Sequence, residues 1–212
     1  MGTPEHIEPS FSRVARRKAR TNKRLLEVAR QLFSEKGIYW VKVEDITELA
    51  DLGKGTFYKY FASKEKIISA LLEEGLGELL IKTKTAVGTV TSNNRIIPAV
   101  LEARIDFFLA YPDYLLLFHQ VRGMMQLQVD VAKEFQSIYD EHLRQIAGLV
   151  RPVAGSVNAR DVAIAIAAYT SSLLTYHLLF EGIDGIRKRR DGMLRALEQS
   201  VRALLKVGRN GS

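Results

Sequence analysis

The chain has 212 residues, 47% of them apolar and 26% charged, the balance of a folded protein rather than a disordered one. It contains no cysteine, which excludes a disulfide scaffold, cysteine-ligated zinc and thiol catalysis. The net charge of +7 is uneven: residues 1–66 hold 14 Lys/Arg against 9 Asp/Glu and the remainder 17 against 15, so the first third is where a nucleic-acid partner is to be sought.

The chain opens on polar residues with no apolar signal core, and no uninterrupted apolar run approaches the roughly 20 residues that span a bilayer. The expectation is a cytoplasmic protein with no membrane partner. Residues 1–22 read as a basic arm. Arg13, Arg16, Arg17, Lys18 and Arg20 continue into Lys23 and Arg24 with no acid among them. Such a stretch is either a solvated leader or an arm that neutralises phosphates, with Arg16, Arg17 and Arg20 as contacts. Leu25, Leu26, Ala29, Leu32 and Phe33 then recur at helical spacing, and Gly37 ends that helix. Ile46, Leu49 and Ala50 mark a short second helix, and Lys54 to Tyr60 a third. Ser63 caps a fourth helix, which runs through Ile67, Ile68, Leu71 and Leu72 into the eighties. After a loop at 88–94, five longer patterns occupy about 95–110, 113–126, 128–150, 158–181 and 186–207. Their breaks fall at Pro112, 151–155 and 182–185. No alternating run argues for a sheet. The predicted fold is all-α, with a three-helix domain at 23–66 and a larger helical bundle at 67–212.

Three short helices, the last two joined by a tight turn, predict a helix-turn-helix. Its second helix lies in the major groove, polar on the DNA side and anchored on the other. In Lys54-Gly55-Thr56-Phe57-Tyr58-Lys59-Tyr60-Phe61, Phe57 and Phe61 are four apart and share a buried face, while Lys54, Tyr58, Lys59 and Tyr60 supply donors. An aromatic-rich helix is otherwise simply core, but so many donors do not suit a buried strip.

Residues 24–72 resemble the DNA-binding domain of the tetracycline-repressor (TetR) family. The resemblance is carried by Phe33-Ser34-Glu35-Lys36-Gly37, Val43-Glu44-Asp45-Ile46, Lys54-Gly55-Thr56-Phe57-Tyr58, Phe61 and Ser63-Lys64-Glu65. It implies that Thr56, Lys54 and Lys59 face base edges and that Tyr58, Tyr60 and Lys64 contact phosphates. Three positions depart from the family pattern. Asp51 stands at a turn glycine, Gly53 at a capping serine, and Lys42, which can reach a phosphate, at a serine or threonine.

Beyond about residue 75 the family likeness is weak. The helix at 158–181 is rich in Ala163, Ala165, Ala167, Ala168, Ser171 and Ser172. The last helix carries Ile186, Met193, Leu197 and Val201 at helical spacing. The resemblance implies that these two helices pair with their copies in a homodimer; the alternative is that they close a monomer core. The middle helices hold Phe107, Phe108, Tyr111, Phe118, Phe135 and Tyr139, with Met125, His119, Arg122 and His142 near them. Apolar walls with a few polar groups suit a small-molecule effector, although aromatic residues at this spacing also build cores. Gly75 and Gly77 in the fourth helix either let it bend or let a neighbour pack closely.

His6, His119, His142 and His177 are far apart, and no phosphate-binding glycine loop or nucleophile elbow is present, so neither a metal, a cofactor nor an enzyme is expected. The function predicted is a repressor that binds a palindromic operator and is released by a small apolar or amphipathic effector. The alternatives are a ligand-independent DNA-binding protein and a small-molecule enzyme with a helical N-terminal domain.

Overall fold

A computed structural model describes residues 13–127 and 129–207; the first twelve residues of the expected arm lie outside them. The described residues form helices α1 (Arg13–Lys36), α2 (Val43–Leu49), α3 (Lys54–Tyr58), α4 (Lys64–Gly88), α5 (Ile96–Ala110), α6 (Pro112–Leu127), α7 (Val129–Ala154) and α8 (Ala159–Val207). A single 3-10 turn, Asn93–Arg95, precedes α5, and no strand occurs among the described residues.

One boundary differs from expectation. The basic residues from Arg13 onward are not a separate arm, because α1 runs unbroken from Arg13 to Lys36. Arginine, lysine and alanine are good helix formers, so this segment needs no core face to extend the helix that Leu25, Ala29, Leu32 and Phe33 anchor. The last two expected helices, together labelled α8, meet at a kink within the expected break, at Gly182, where φ is 71° and ψ −178°. Glycine alone adopts that conformation cheaply, so the kink depends on it.

α1, α2 and α3 close a small core around Phe33, Ile46 and Phe57, and α4 leads from it into the larger bundle. There α5 packs between α4 and α8, and α7 covers α4 and α8 from the other side. α6 packs against both α7 and α1, so the bundle touches the N-terminal helices directly. Residues 162–180 of α8 carry no Asp, Glu, Lys or Arg. By length and composition alone α8 is apolar enough to cross a bilayer, as core helices also are, and Thr170, Ser171, Ser172, Thr175 and His177 interrupt its apolar run. One face is accounted for: Val162, Ala163, Ile166, Thr170 and Leu174 are buried within the subunit. On the rest, Ile164, Tyr176, Leu179 and Phe180 stand exposed.

α4 is straight enough to be one helix, and its glycines differ in their surroundings. A Cβ on Gly75 would lie 2.5 Å from the Tyr114 ring and 2.9 Å from Phe118 Cζ, so close packing accounts for Gly75. A Cβ on Gly77 would meet nothing within 4 Å. Opposite outcomes are therefore expected in thermal or urea unfolding. Gly75→Ala should destabilise by about 1–3 kcal/mol through overpacking. Gly77→Ala should stabilise by about 0.5–1 kcal/mol through helix propensity.

Candidate functional site

The helix-turn-helix is held in shape by residues of unlike chemistry. Asp51 takes the turn with φ 56°, the left-handed region that aspartate tolerates better than most side chains. Gly53 begins α3 without a side-chain cap. At α2, where Lys42 offers no hydroxyl, Asp45 Oδ2 accepts from the Lys42 backbone N–H at 2.7 Å, one half of a capping box. Phe57 and Phe61 are buried with ring centroids 5.8 Å apart, anchoring α3 from beneath. Lys54, Tyr58 and Lys59 are exposed on its outer side, and Thr56 is half-buried beside them. Tyr60 is half-buried and packs against the core. Lys54 Nζ pairs with Glu44 Oε1, tying the N-terminus of α3 to that of α2; the Lys54 side chain is 58% exposed, so DNA can compete for it.

Lys64, expected at a phosphate, has a second set of partners here: its Nζ donates to the backbone carbonyls of Ile38 at 3.0 Å and Val41 at 2.9 Å. The fourth helix thus staples the loop between α1 and α2. On α1, Arg13, Arg16, Arg17, Arg20, Lys23 and Arg24 are all exposed and fall within roughly a third of the helix circumference at 100° per residue. That stripe points away from Leu25, Ala29 and Phe33. Arg24 also donates to the Leu49 carbonyl at 3.2 Å, joining the basic helix to the end of α2.

Two links join this domain to α6. Gln120 donates from Nε2 to the Phe33 carbonyl at 3.1 Å and accepts from the Ile38 N–H at 2.6 Å. It therefore holds the last turn of α1 and the start of the following loop together. Arg30 of α1 pairs with Asp113 at 2.7 Å and lies 4.8 Å from the Tyr114 ring centroid. Tyr114 in turn donates its hydroxyl proton to Glu74 of α4; burial, with that hydrogen bond second, raises its pKa.

A cavity of about 230 Å³ opens between α4, α5, α6, α7 and α8. Of the residues expected to face an effector, Phe118, Arg122, Met125, Tyr139 and His142 line it. Phe107, Phe108 and Phe135 do not: they are fully buried core. Tyr111 is half-buried against that core, and His119 is exposed, so His119 and Arg122 do not share the cavity. Arg104, absent from the expected set, also lines the cavity and is 3% exposed. The signal was present in α5, where Ile97, Leu101 and Phe108 flank Arg104 at spacings of three and four on an apolar face. Its Nη1 lies 3.4 Å from His142 Nε2, its Nε has no partner, and no carboxylate pairs with it among the described residues. Burial, and then the nearby Arg122 cation, push the Arg104 pKa down to about 10, so it is still charged at neutral pH. Burial, and then Arg104, push His142 down to about 3, so that imidazole is neutral and its Nε2 accepts from the guanidinium. Tyr139 donates to the Phe118 carbonyl at 3.0 Å, and burial raises its pKa.

Comparison with known proteins agrees with this architecture. Residues 25–71 match the model of a family described as bacterial regulatory proteins, tetR family. The HTH-type transcriptional activator FasR of Mycolicibacterium smegmatis is 29% identical over 83 residues, 39% of this chain and 38% of that protein. The HTH-type transcriptional regulator RutR of Escherichia coli is 24% identical over 189 residues, 88% of this chain and 89% of RutR. The chain spans 38%, 31% and 38% of the length of the first three curated relatives it matches. Among solved structures, the transcriptional regulator FadR of Bacillus subtilis, in complex with stearoyl-CoA, has a TM-score of 0.69 at 18% identity, covering 88% of this chain and 98% of FadR. At that identity the likeness is one of fold.

Proposed function

We propose that this chain, whose residues 25–71 match the tetR family model, is a homodimeric transcriptional regulator of that family, a repressor that binds a palindromic operator and leaves it when a small amphipathic effector fills the cavity. The observation that carries this reading is the two-sidedness of α3. Phe57 and Phe61 pin it to the core while Lys54, Tyr58 and Lys59 stand exposed on the outer surface. The basic stripe of α1 extends that positive surface. The exposed apolar side of α8 supports a second copy as partner, because a lone helix-turn-helix reads one half-site and a palindrome demands twofold symmetry.

Effector and operator communicate through α6. Its cavity face carries Phe118 and Arg122, and its other face carries Gln120, which grips α1 and the loop before α2. A ligand that shifts α6 drags this loop and changes the spacing of the two heads. By linkage, the ligand weakens DNA binding by the factor with which DNA weakens ligand binding. The stearoyl-CoA complex of FadR supports an effector with an apolar portion in a bundle of this fold.

The test separates base from phosphate contacts, using a DNA fragment selected by the protein from a random pool. Tyr58→Phe should weaken selected and random DNA alike, because phosphates carry no sequence. Thr56→Ala should cut the preference for the selected site by about 1–3 kcal/mol. Equal loss on both DNAs in Thr56→Ala would refute base reading by α3. Lys64 is unsuited to this test, since its ammonium holds the α1–α2 loop.

A further inference from the structure

Arg104 is a buried cation in a largely apolar cavity, and among the described residues no carboxylate answers it. Charges of this kind are ordinarily paired, because desolvation costs several kcal/mol per ion and a partner must offset it. Here the Phe108 ring, its centroid 5.9 Å from the guanidinium carbon, offers a weak answer, and the charged neighbour repels. The second charge beside it is Arg122, another cation, half-buried in the same wall. His142 is neutral and offers one long contact of 3.4 Å. Tyr139 has committed its proton to the Phe118 carbonyl. A guanidinium has five donors and does not shed its proton at neutral pH, so most of its donor capacity is unused. The rest of the wall, including Leu76, Phe118, Met125 and Leu143, is apolar apart from Ser171.

We infer that the cavity takes a compact amphipathic anion, its carboxylate or phosphate head on Arg104 with Arg122 assisting, and its apolar body against Met125 and Leu143. This rests on the reading of the cavity as the effector site. The size sets the class: about 230 Å³ lies below the roughly 300–1,000 Å³ of drug-sized sites. Short-chain or single-ring acids fit; a long acyl chain requires the bundle to open. A more open groove between α4 and α7 shares Leu76 and His142 with the cavity and offers an entrance.

Isosteric pairs test this without any substitution. Phenylacetate and phenylacetamide, and hexanoate and hexanamide, differ in charge and little in shape; phenyl phosphate adds the second head group. The acids should raise the melting temperature of the full-length protein, and the amides should not. The better of carboxylate and phosphate identifies the head. In Arg104→Met the acid should bind roughly 10–100-fold more weakly, the range for a charge-assisted hydrogen bond. Arg122→Met should weaken it less than tenfold, since that side chain is half-exposed. Without ligand, Arg104→Met should melt higher than wild type, because an unanswered buried charge is replaced by an apolar side chain of similar length. A merely structural arginine would give a lower melting temperature. The inference falls if no acid shifts the melting temperature, if the amides match the acids, or if acid binding survives in both arginine variants. The regulatory reading fails separately: acids that bind through Arg104 yet leave operator affinity unchanged would sink the effector role and keep the anion site.

Discussion

Replacing Arg16, Arg17 and Arg20 together with glutamine should lower the slope of log affinity against log salt by about 2.7, that is, about 0.9 for each phosphate no longer neutralised. If these arginines meet backbone, the weakening should be nearly the same on operator and random DNA, because phosphates carry no sequence. All three side chains are exposed on one side of a continuous helix, so the substitution leaves the core of α1 intact, and glutamine keeps the helix propensity. Helical order matters to the size of the effect. From Arg13 to Arg24 the stripe is about 18 Å long at 1.5 Å per residue, a fixed rod of charge that incurs little ordering entropy on meeting DNA. Binding isotherms at four or five salt concentrations give the slope directly. An unchanged slope would leave the stripe as solvated surface, and the circular dichroism of the variant would show whether the helix survived.

Leu179→Asp with Phe180→Asp should convert the protein to a monomer and abolish tight operator binding. Both side chains are largely exposed within one subunit, 61% and 72%, so the subunit should still fold. Burying such a side chain against a partner is worth about 1.5–3 kcal/mol. In a twofold interface each substitution counts twice, which puts the loss of dimer affinity above roughly 10⁴-fold before charge repulsion is added. Sedimentation equilibrium measures the mass. A variant that still sediments as a dimer would move the interface away from this face of α8. A wild-type protein that sediments as a monomer would remove the dimer altogether.

What could be read from the chain follows the range of the interactions involved. Phe57 and Phe61 declare their shared face because they lie one helical turn apart. Ser63 declares its cap because its hydroxyl accepts from Lys66 N–H three residues on. The second role of Lys64 is different in kind: its acceptors, Ile38 and Val41, are 26 and 23 residues away, and no local pattern announces them. Gln120 is 82 residues from Ile38 and looks, in the sequence, like any polar residue on a helix. The aromatic residues of α5, α6 and α7 are ambiguous for a physical reason. Core and cavity wall demand the same spacing and the same apolar surface, so nothing local separates Phe118, which lines the cavity, from Phe107, which does not. Arg104 is legible in principle, as a charge on the apolar face of α5. The helical course of residues 13–24 is hidden because amphipathic periodicity marks only helices that have something to bury.

The grip of Gln120 on α1 and its loop limits modularity. A chimera that grafts residues 1–66 of this protein onto the body of another regulator would respect every helix boundary and still cut both bonds of that side chain. The Ile38 amide and the Phe33 carbonyl would lose their partner, and Arg30 would lose Asp113. Such a head would keep its DNA-facing residues and yet sit loosely on its new support. Engineers who wish to rewire the response should carry Asp113 and Gln120 with the head, treating the front of α6 as part of the unit transplanted.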